Sequence, residues 1–200
     1  MYLKKEKEFQ YHPGIEKIIE DVIGGGTIAR ADFVGAAFGG IQLDELPPLV
    51  VVGKDANGVW HAVKTASIQA IAAADATAYR VKKNHVFIVG NVVTLGGDLA
   101  KAADAITAID KSNADYDEIT LAGTIGAAAV GDVLVLANAA AAAAAAAFKY
   151  TPEAITMNPV ALDVANQSSG LLVRGTVNAA VLPFPLDAAL KALLKDIRFV

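Results

Sequence analysis

Apolar and polar positions alternate with period two through much of the chain beyond residue 49. The clearest run is YRVKKNHVFIVGNVVT, residues 79–94. Successive side chains of a strand point to opposite faces, so Tyr79, Val81, Lys83 and His85 are predicted opposite Arg80, Lys82 and Val86. Lys82-Lys83-Asn84-His85 reads as a loop where the register slips, and Gly90-Asn91 as a corner feeding a second strand. LVVVG (49–53) has the continuous apolar character of a buried strand. Asp55-Ala56-Asn57-Gly58 follows, and its Asn57-Gly58 pair favours a tight hairpin. In VWHAVKTASIQAI (59–71), Trp60, Ala62 and Lys64 alternate with Val59, His61 and Val63.

Beyond a small-residue bridge, Ala72–Thr77, and the Gly96-Gly97 pair, Asp98 is predicted to cap a helical turn over Leu99–Ala103. Strands are predicted at 106–110, 118–125 and 133–137, with KSNADYD (111–117) as a turn. Val89-Gly90-Asn91-Val92-Val93 and Val130-Gly131-Asp132-Val133-Leu134 are two copies of one pattern, a Gly-Asn/Asp corner feeding an apolar strand. The spacing is read as recurring turn chemistry within one sheet or barrel. Ala139–Ala147 is a run of nine alanines. Alanine favours helix, but the run is short and has no amphipathic face. It reads as a surface excursion, helical or not, and in a sharper form as a segment packed against a symmetry mate.

Further strands are expected at Ala154–Met157, Val160–Val164 and Gly170–Val181, with turns at Asn158-Pro159 and Asn166–Ser169. Gly175 marks a bulge or close approach. Leu186, Leu190, Leu193 and Leu194 form a short helical stripe with Asp187 in its first turn, and Ile197–Val200 is a last strand. At the other end, Ile15, Ile18, Ile19, Val22 and Ile23 follow helical spacing, with Glu16, Glu20 and Asp21 facing away. Gly24-Gly25-Gly26 ends that helix as a flexible joint, and Thr27–Pro48 reads as an extended linker. The fold expected is mainly β: an antiparallel β-barrel or sandwich over 49–200, with short helices and an N-terminal arm over 1–48.

Composition narrows the function classes. The chain has 200 residues, no cysteine and a net charge of −4, so disulfides, thiol nucleophiles and Cys-ligated zinc are excluded. The acidic balance disfavours a nucleic-acid binder. Mean hydropathy is +0.44, mostly from alanine, and no window carries about 18 strongly apolar residues. MYLKKEKEF lacks a signal-peptide core, so a soluble chain made in the cytoplasm, with no membrane partner, is expected. A charged fraction of 19% is low for an exposed surface and points to burial against other chains.

No catalytic or metal pattern emerges. His12, His61 and His85 stand apart in sequence, and no GxSxG elbow surrounds Ser67, Ser112, Ser168 or Ser169. Asp115, Asp117 and Glu118 are read as turn residues, and Lys82-Lys83 with Tyr79 and Phe87 as a solvated loop rather than a nucleic-acid patch. GGGT (24–27) lacks the Lys-Ser/Thr of a phosphate loop. No catalytic, cofactor-binding or metal-binding residue is assigned, and no cofactor is expected.

Residues 60–200 carry a resemblance. The runs YRVKKNHVFIVGNVVT, ITAIDKSNADYDEITLAGTIG, GDVLVLA, FKYTPEAIT and GLLVRGTVNAAVLPFPL, closing on KDIRFV, resemble the phage head fibre (capsid decoration) proteins. That family occurs in phi29-like phages and in phages of gut Bacteroidales, crAss-like phages among them. The closing VRGTVNAAVLP is also similar to lambda-type head decoration proteins. The resemblance implies a non-enzymatic virion protein on the capsid exterior, a homotrimer bound to the major capsid protein. The alternative is a carbohydrate-binding or adhesion module of a tail or receptor-binding apparatus, with Trp60, Tyr79, Tyr116 and Tyr150 as the natural stacking residues.

Overall fold

The computed structural model describes residues 13–38, 41–162 and 165–200. The N-terminal charge run, Phe9, Tyr11, His12, the Gly39-Gly40 pair and the end of the strand expected over Val160–Val164 lie outside them. In chain order the strands are β1 (Ile15–Asp21), β2 (Gly26–Ile28), β3 (Ala37–Phe38), β4 (Ile41–Gln42), β5 (Glu45–Leu46), β6 (Val51–Lys54) and β7 (Trp60–Ala62). They continue with β8 (Thr65–Ser67), β9 (Ala78–Lys82), β10 (Val92–Leu95), β11 (Ala103–Asp110), β12 (Tyr116–Leu121), β13 (Val133–Ala137) and β14 (Ala154–Thr156). Then come β15 (Val160–Ala161), β16 (Gln167–Ser169), β17 (Leu171–Val177), the helix α1 (Ala188–Leu193) and β18 (Ile197–Phe199).

Two sheets account for most of them. One runs β8-β13-β10-β11-β12-β9, all antiparallel. Its two edges meet at an Ile68–Val81 bridge, where the Gln69 N–H donates to the Arg80 carbonyl at 2.8 Å, so the sheet curls round on itself. The other runs β1-β17-β14-β6-β7-β2-β16, with β18 alongside β17. Here β2–β7 and β17–β18 pair in parallel. The fold is therefore mainly β, with a curled barrel-like sheet and a second open sheet, as the alternating pattern predicts.

The apolar runs are explained by a layered core. In β13, Leu134 and Leu136 point into the curled sheet, while Val133 and Val135 face outward and pack on the second sheet. Val52, Ala154 and Leu171 bury one face of that second sheet, and Val51, Ile155 and Leu172 bury the other. Strands covered on both faces need apolar residues at every position. β12, covered on one face only, keeps the alternation: Asp117, Ile119 and Leu121 are inside, with Tyr116, Glu118 and Thr120 between them.

Four expectations are corrected. First, Ile15–Ile23 is not a helix; Ile15–Asp21 is the strand β1 on β17. Register shifts between Ile15 and Lys17 and between Ile18 and Glu20 insert extra residues. A bulged strand thereby brings residues three apart to one side, and Ile15 and Ile18 both reach the shared core while Ile19 is exposed. The bulge mimics helical spacing. Second, Thr27–Pro48 is not a linker. β2 pairs with β7 and β16, and Phe33, Ala36 and Leu46 are buried in the same cluster as Val52 and Trp60. Residues 15–38 and 41–46 thus share hydrogen bonds and core with the rest of the chain.

Third, Leu99–Ala103 forms no helical turn. Leu99 has φ 59°, and Asp98 Oδ1 accepts from the Ala100 N–H at 3.3 Å, which turns the chain directly into β11. Fourth, the turn expected at Asn166–Ser169 contains β16. The alanine run, left open between helix and coil, is an irregular excursion: Ala141 bridges Ala103, Asn138 donates to Ala147, and Ala144 sits at φ 62°. At the C-terminus, α1 forms where the leucine stripe places it, capped by Asp187 Oδ1 accepting from the Leu190 N–H at 2.8 Å.

Candidate functional site

Two clusters of titratable side chains lie where the sheets and connecting loops meet. The first is built on His61 in β7. The Asn57-Gly58 hairpin aligns β6 and β7 so that His61 pairs with Gly53, and Asp55 Oδ1 accepts the N–H groups of Asn57 and Val59. Those bonds, Val59 first, hold the Asp55 carboxyl below its ordinary value. His61 Nδ1 lies 2.9 Å from Asp32 Oδ2, and its Nε2 lies 3.6 Å from Asp55 Oδ2. The imidazole also stacks on the Tyr150 ring, with centroids 3.9 Å apart and planes 8° apart. Burial, then the Asp32 and Asp55 charges, push the Tyr150 hydroxyl up. Asp32 takes a further hydrogen bond from the Ala62 N–H at 3.3 Å.

With a carboxylate against each ring nitrogen and an aromatic ring over its face, His61 acts as a clip. It joins the 3-10 turn at Arg30–Asp32, the β6–β7 hairpin and the Tyr150 segment. Its two carboxylates approach from opposite edges of the ring, so the three groups do not converge on one point. Among the described residues no group of three or more His, Asp or Glu side chains is placed to hold a metal ion.

Close by, Lys64 occupies the step from β7 to β8, where the chain leaves one sheet for the other. Val63 packs between the sheets and Lys64 is buried beneath them at 2% exposure. Its Nζ donates to Asn91 Oδ1 at 3.1 Å. Desolvation pushes the amine down to about 8, with the Asp32 charge opposing and Lys149 adding to the shift. A period-two reading of residues 59–71 places Lys64 beside Ala62 but gives no sign that the site is buried.

The second cluster surrounds Asp117, buried in β12. Lys83 Nζ donates to its Oδ1 at 2.8 Å, and His85 Nε2 lies 3.3 Å from its Oδ2. His85 Nδ1 accepts the Phe87 N–H at 3.2 Å, which puts the imidazole proton on Nε2. Nε2 has no hydrogen bond of good geometry. Burial drives His85 down to about 4, with Asp117 pulling the other way and three lysines reinforcing the fall. A cavity of about 430 Å³ opens beside Lys83, Asn84, Lys111, Asn113 and Asp117.

The acidic triplet separates by strand alternation. Asp117 points in, Glu118 points out to Arg80 at 3.2 Å, and the Asp115 N–H donates to Asn113 Oδ1 within the turn. The Lys82-Lys83 patch likewise splits, with Lys83 tied inward to Asp117 and Lys82 left exposed. Ser169 Oγ donates to the Asn158 and Gly170 carbonyls rather than to a histidine. Of the four candidate stacking aromatics, Trp60 and Tyr79 are buried. The Tyr79 hydroxyl donates to the Ala76 and Gly126 carbonyls. Tyr116 lies under Arg80 at 4.8 Å and Tyr150 under His61, so one face of each ring is already covered.

The exposed surface has an apolar sector. Ala72 and Ala128 exchange both backbone hydrogen bonds and bring Ala70–Ala74 beside Ala127–Val130. Ile71 is 82% and Val130 62% exposed there. A groove of about 360 Å³ runs from Ile71 and Ala73 to a rim formed by Arg80 and Glu118. No helix among the described residues is long and apolar enough to cross a membrane. Comparisons with family models, curated proteins and solved structures return no match to this chain.

Proposed function

We propose that the chain is a non-enzymatic structural protein that decorates the exterior of a phage capsid, assembling as a homotrimer on the major capsid protein. The supporting observation is the apolar sector around Ile71 and Val130, 82% and 62% exposed, with Arg80 and Glu118 at the rim of the groove beside Ile71. Contiguous exposed apolar surface with a polar rim is characteristic of protein contact sites. The head-fibre resemblance of residues 60–200 motivates the capsid as the partner. Decoration of this kind adds buried area across neighbouring capsomers and stiffens the shell against internal pressure.

The test is co-sedimentation of the purified chain with empty capsids, together with its mass in solution. The reading expects a trimer that pellets with capsids, and an Ile71→Asp variant that keeps its fold but pellets at least tenfold less. A chain that stays in the supernatant and is missing from the protein inventory of purified virions overturns the reading.

A further inference from the structure

Buried lysines are rare because the ammonium loses its hydration, and Lys64 compensates by reaching across to a turn 27 residues further along the chain. Asn91 Oδ1 receives two donors, Lys64 Nζ at 3.1 Å and the Ile88 N–H at 3.2 Å. The backbone donor fixes the orientation of the carboxamide, because only its oxygen accepts. We propose that Lys64 and Asn91 are the two halves of an intramolecular isopeptide cross-link, formed by attack of the lysine amine on the Asn91 side-chain carbonyl carbon. This rests on side-chain geometry and is independent of the capsid reading.

The step balances without a co-reactant. The neutral Lys64 amine adds its lone pair to Asn91 Cγ, and the carbonyl electrons move onto Oδ1, where the Ile88 N–H holds them. One proton passes from Nζ to Nδ2, the carbonyl reforms, and the Cγ–Nδ2 bond breaks to release ammonia. One lysine ammonium and one carboxamide become one secondary amide and one ammonium ion. Asp32, whose charge favours the Lys64 ammonium and whose Oδ2 is held by His61 and the Ala62 N–H, is the carboxylate assigned to the proton transfer. Desolvation makes the amine a competent nucleophile: with its ionisation at about 8, roughly a tenth is neutral at pH 7, against less than a thousandth for an exposed lysine.

The second copy of the turn shows that an amide is not needed for the turn itself. There Asp132 Oδ2 accepts the Ala129 N–H at 2.8 Å, just as Asn91 Oδ1 accepts from Ile88. A carboxylate caps the corner equally well, so the turn makes no use of the Asn91 NH2 group. Only at the corner facing a buried lysine does the chain carry the amide that can leave as ammonia.

The experiment is the intact mass of the full chain under denaturing conditions, followed by tryptic mapping. The proposal expects a mass lower than the sequence mass by one ammonia, no cleavage at Lys64, and a branched peptide joining residues 64 and 91. Lys64→Arg and Asn91→Ala should each restore the sequence mass while keeping the far-ultraviolet circular dichroism of the parent, and Asp32→Asn should slow formation at least tenfold. A parent chain at its full sequence mass, cleaved at Lys64 even after prolonged incubation at mildly alkaline pH, overturns the proposal. So does an ammonia deficit that maps to residues other than this pair.

Discussion

His85 shows how far one residue's chemistry departs from its place in the sequence. It lies in a polar run, Lys82-Lys83-Asn84-His85, yet its side chain is buried against Asp117. Burial favours the neutral imidazole more than the Asp117 charge favours the cation. The folded-state value, about 4, lies below the ordinary 6.5. Above pH 6.5 both states are neutral and the group contributes nothing. Between 6.5 and 4 the unfolded chain binds a proton that the folded chain refuses, so stability falls as the pH falls. The loss approaches about 3 kcal/mol at the acid end of that window. Urea unfolding across this range should show the decline, and His85→Gln should flatten it. Equal slopes in parent and variant would show that other groups set the acid limit. The loop position of His85 was legible in the sequence; its burial was not, because it depends on β12 supplying Asp117 from 32 residues away.

At the element scale the twin corners are the most informative feature. Asn91 donates its N–H to the Ile88 carbonyl and Asp132 to the Ala129 carbonyl; the intervening Gly90 and Gly131 have φ of 88° and 93°. Each glycine N–H also donates to an isoleucine carbonyl, that of Ile106 in β11 or of Ile68 just past β8, and that isoleucine donates back to Asn91 or Asp132. Because β10 and β13 then pair antiparallel, the two corners are related by an approximate two-fold through the middle of the curled sheet. Positive φ is the only demand on these glycines, since an added Cβ at Gly90 or Gly131 meets nothing within 4 Å. Gly131→Ala should therefore cost about 1–2 kcal/mol of backbone strain, while Val130→Ala next to it stays within about 0.5 kcal/mol. A neutral Gly131→Ala in urea titration would mean that the corner relaxes. The corner was readable in sequence because turn chemistry is local. The strand identity of Ile15–Asp21 was not, because its bulges are set by β17, where Gly175 has no side chain to obstruct the Lys17 carbonyl.

At the scale of the molecule, the segment joining β9 to β10 stitches the layers together. Val86 packs in the outer core of the second sheet, Phe87 inside the curled sheet, and Ile88 against the outer core again. β13 does the same through its two faces. Such shared elements couple the layers, so calorimetry should find one transition with matching calorimetric and van't Hoff enthalpies. Val135→Ala, facing the second sheet, and Leu136→Ala, facing into the curled sheet, should each lower that single midpoint, at a cost of roughly 2–4 kcal/mol. Two separable transitions, one moved by each substitution, would instead mark two independent units.

Period-two alternation, the Asn57-Gly58 and Gly-Asn/Asp corners, and the capped leucine stripe of α1 were determined by the sequence alone. Each depends on residues within a few positions of one another, where backbone sterics and side-chain capping decide the outcome. Which strands lie side by side was decided only in three dimensions. β9 and β10, the two strands flanking the Tyr79–Thr94 run, are separated in the sheet by β11 and β12. β1 and β2 were claimed by the second sheet, where Ile15, Ile18 and Ile28 found apolar partners, and Phe33 and Leu46 were buried in its core. Lys64 and Asn91, unremarkable 27 residues apart along the chain, became a pair only when the fold buried the lysine and brought the half-buried corner at Asn91 against its amine.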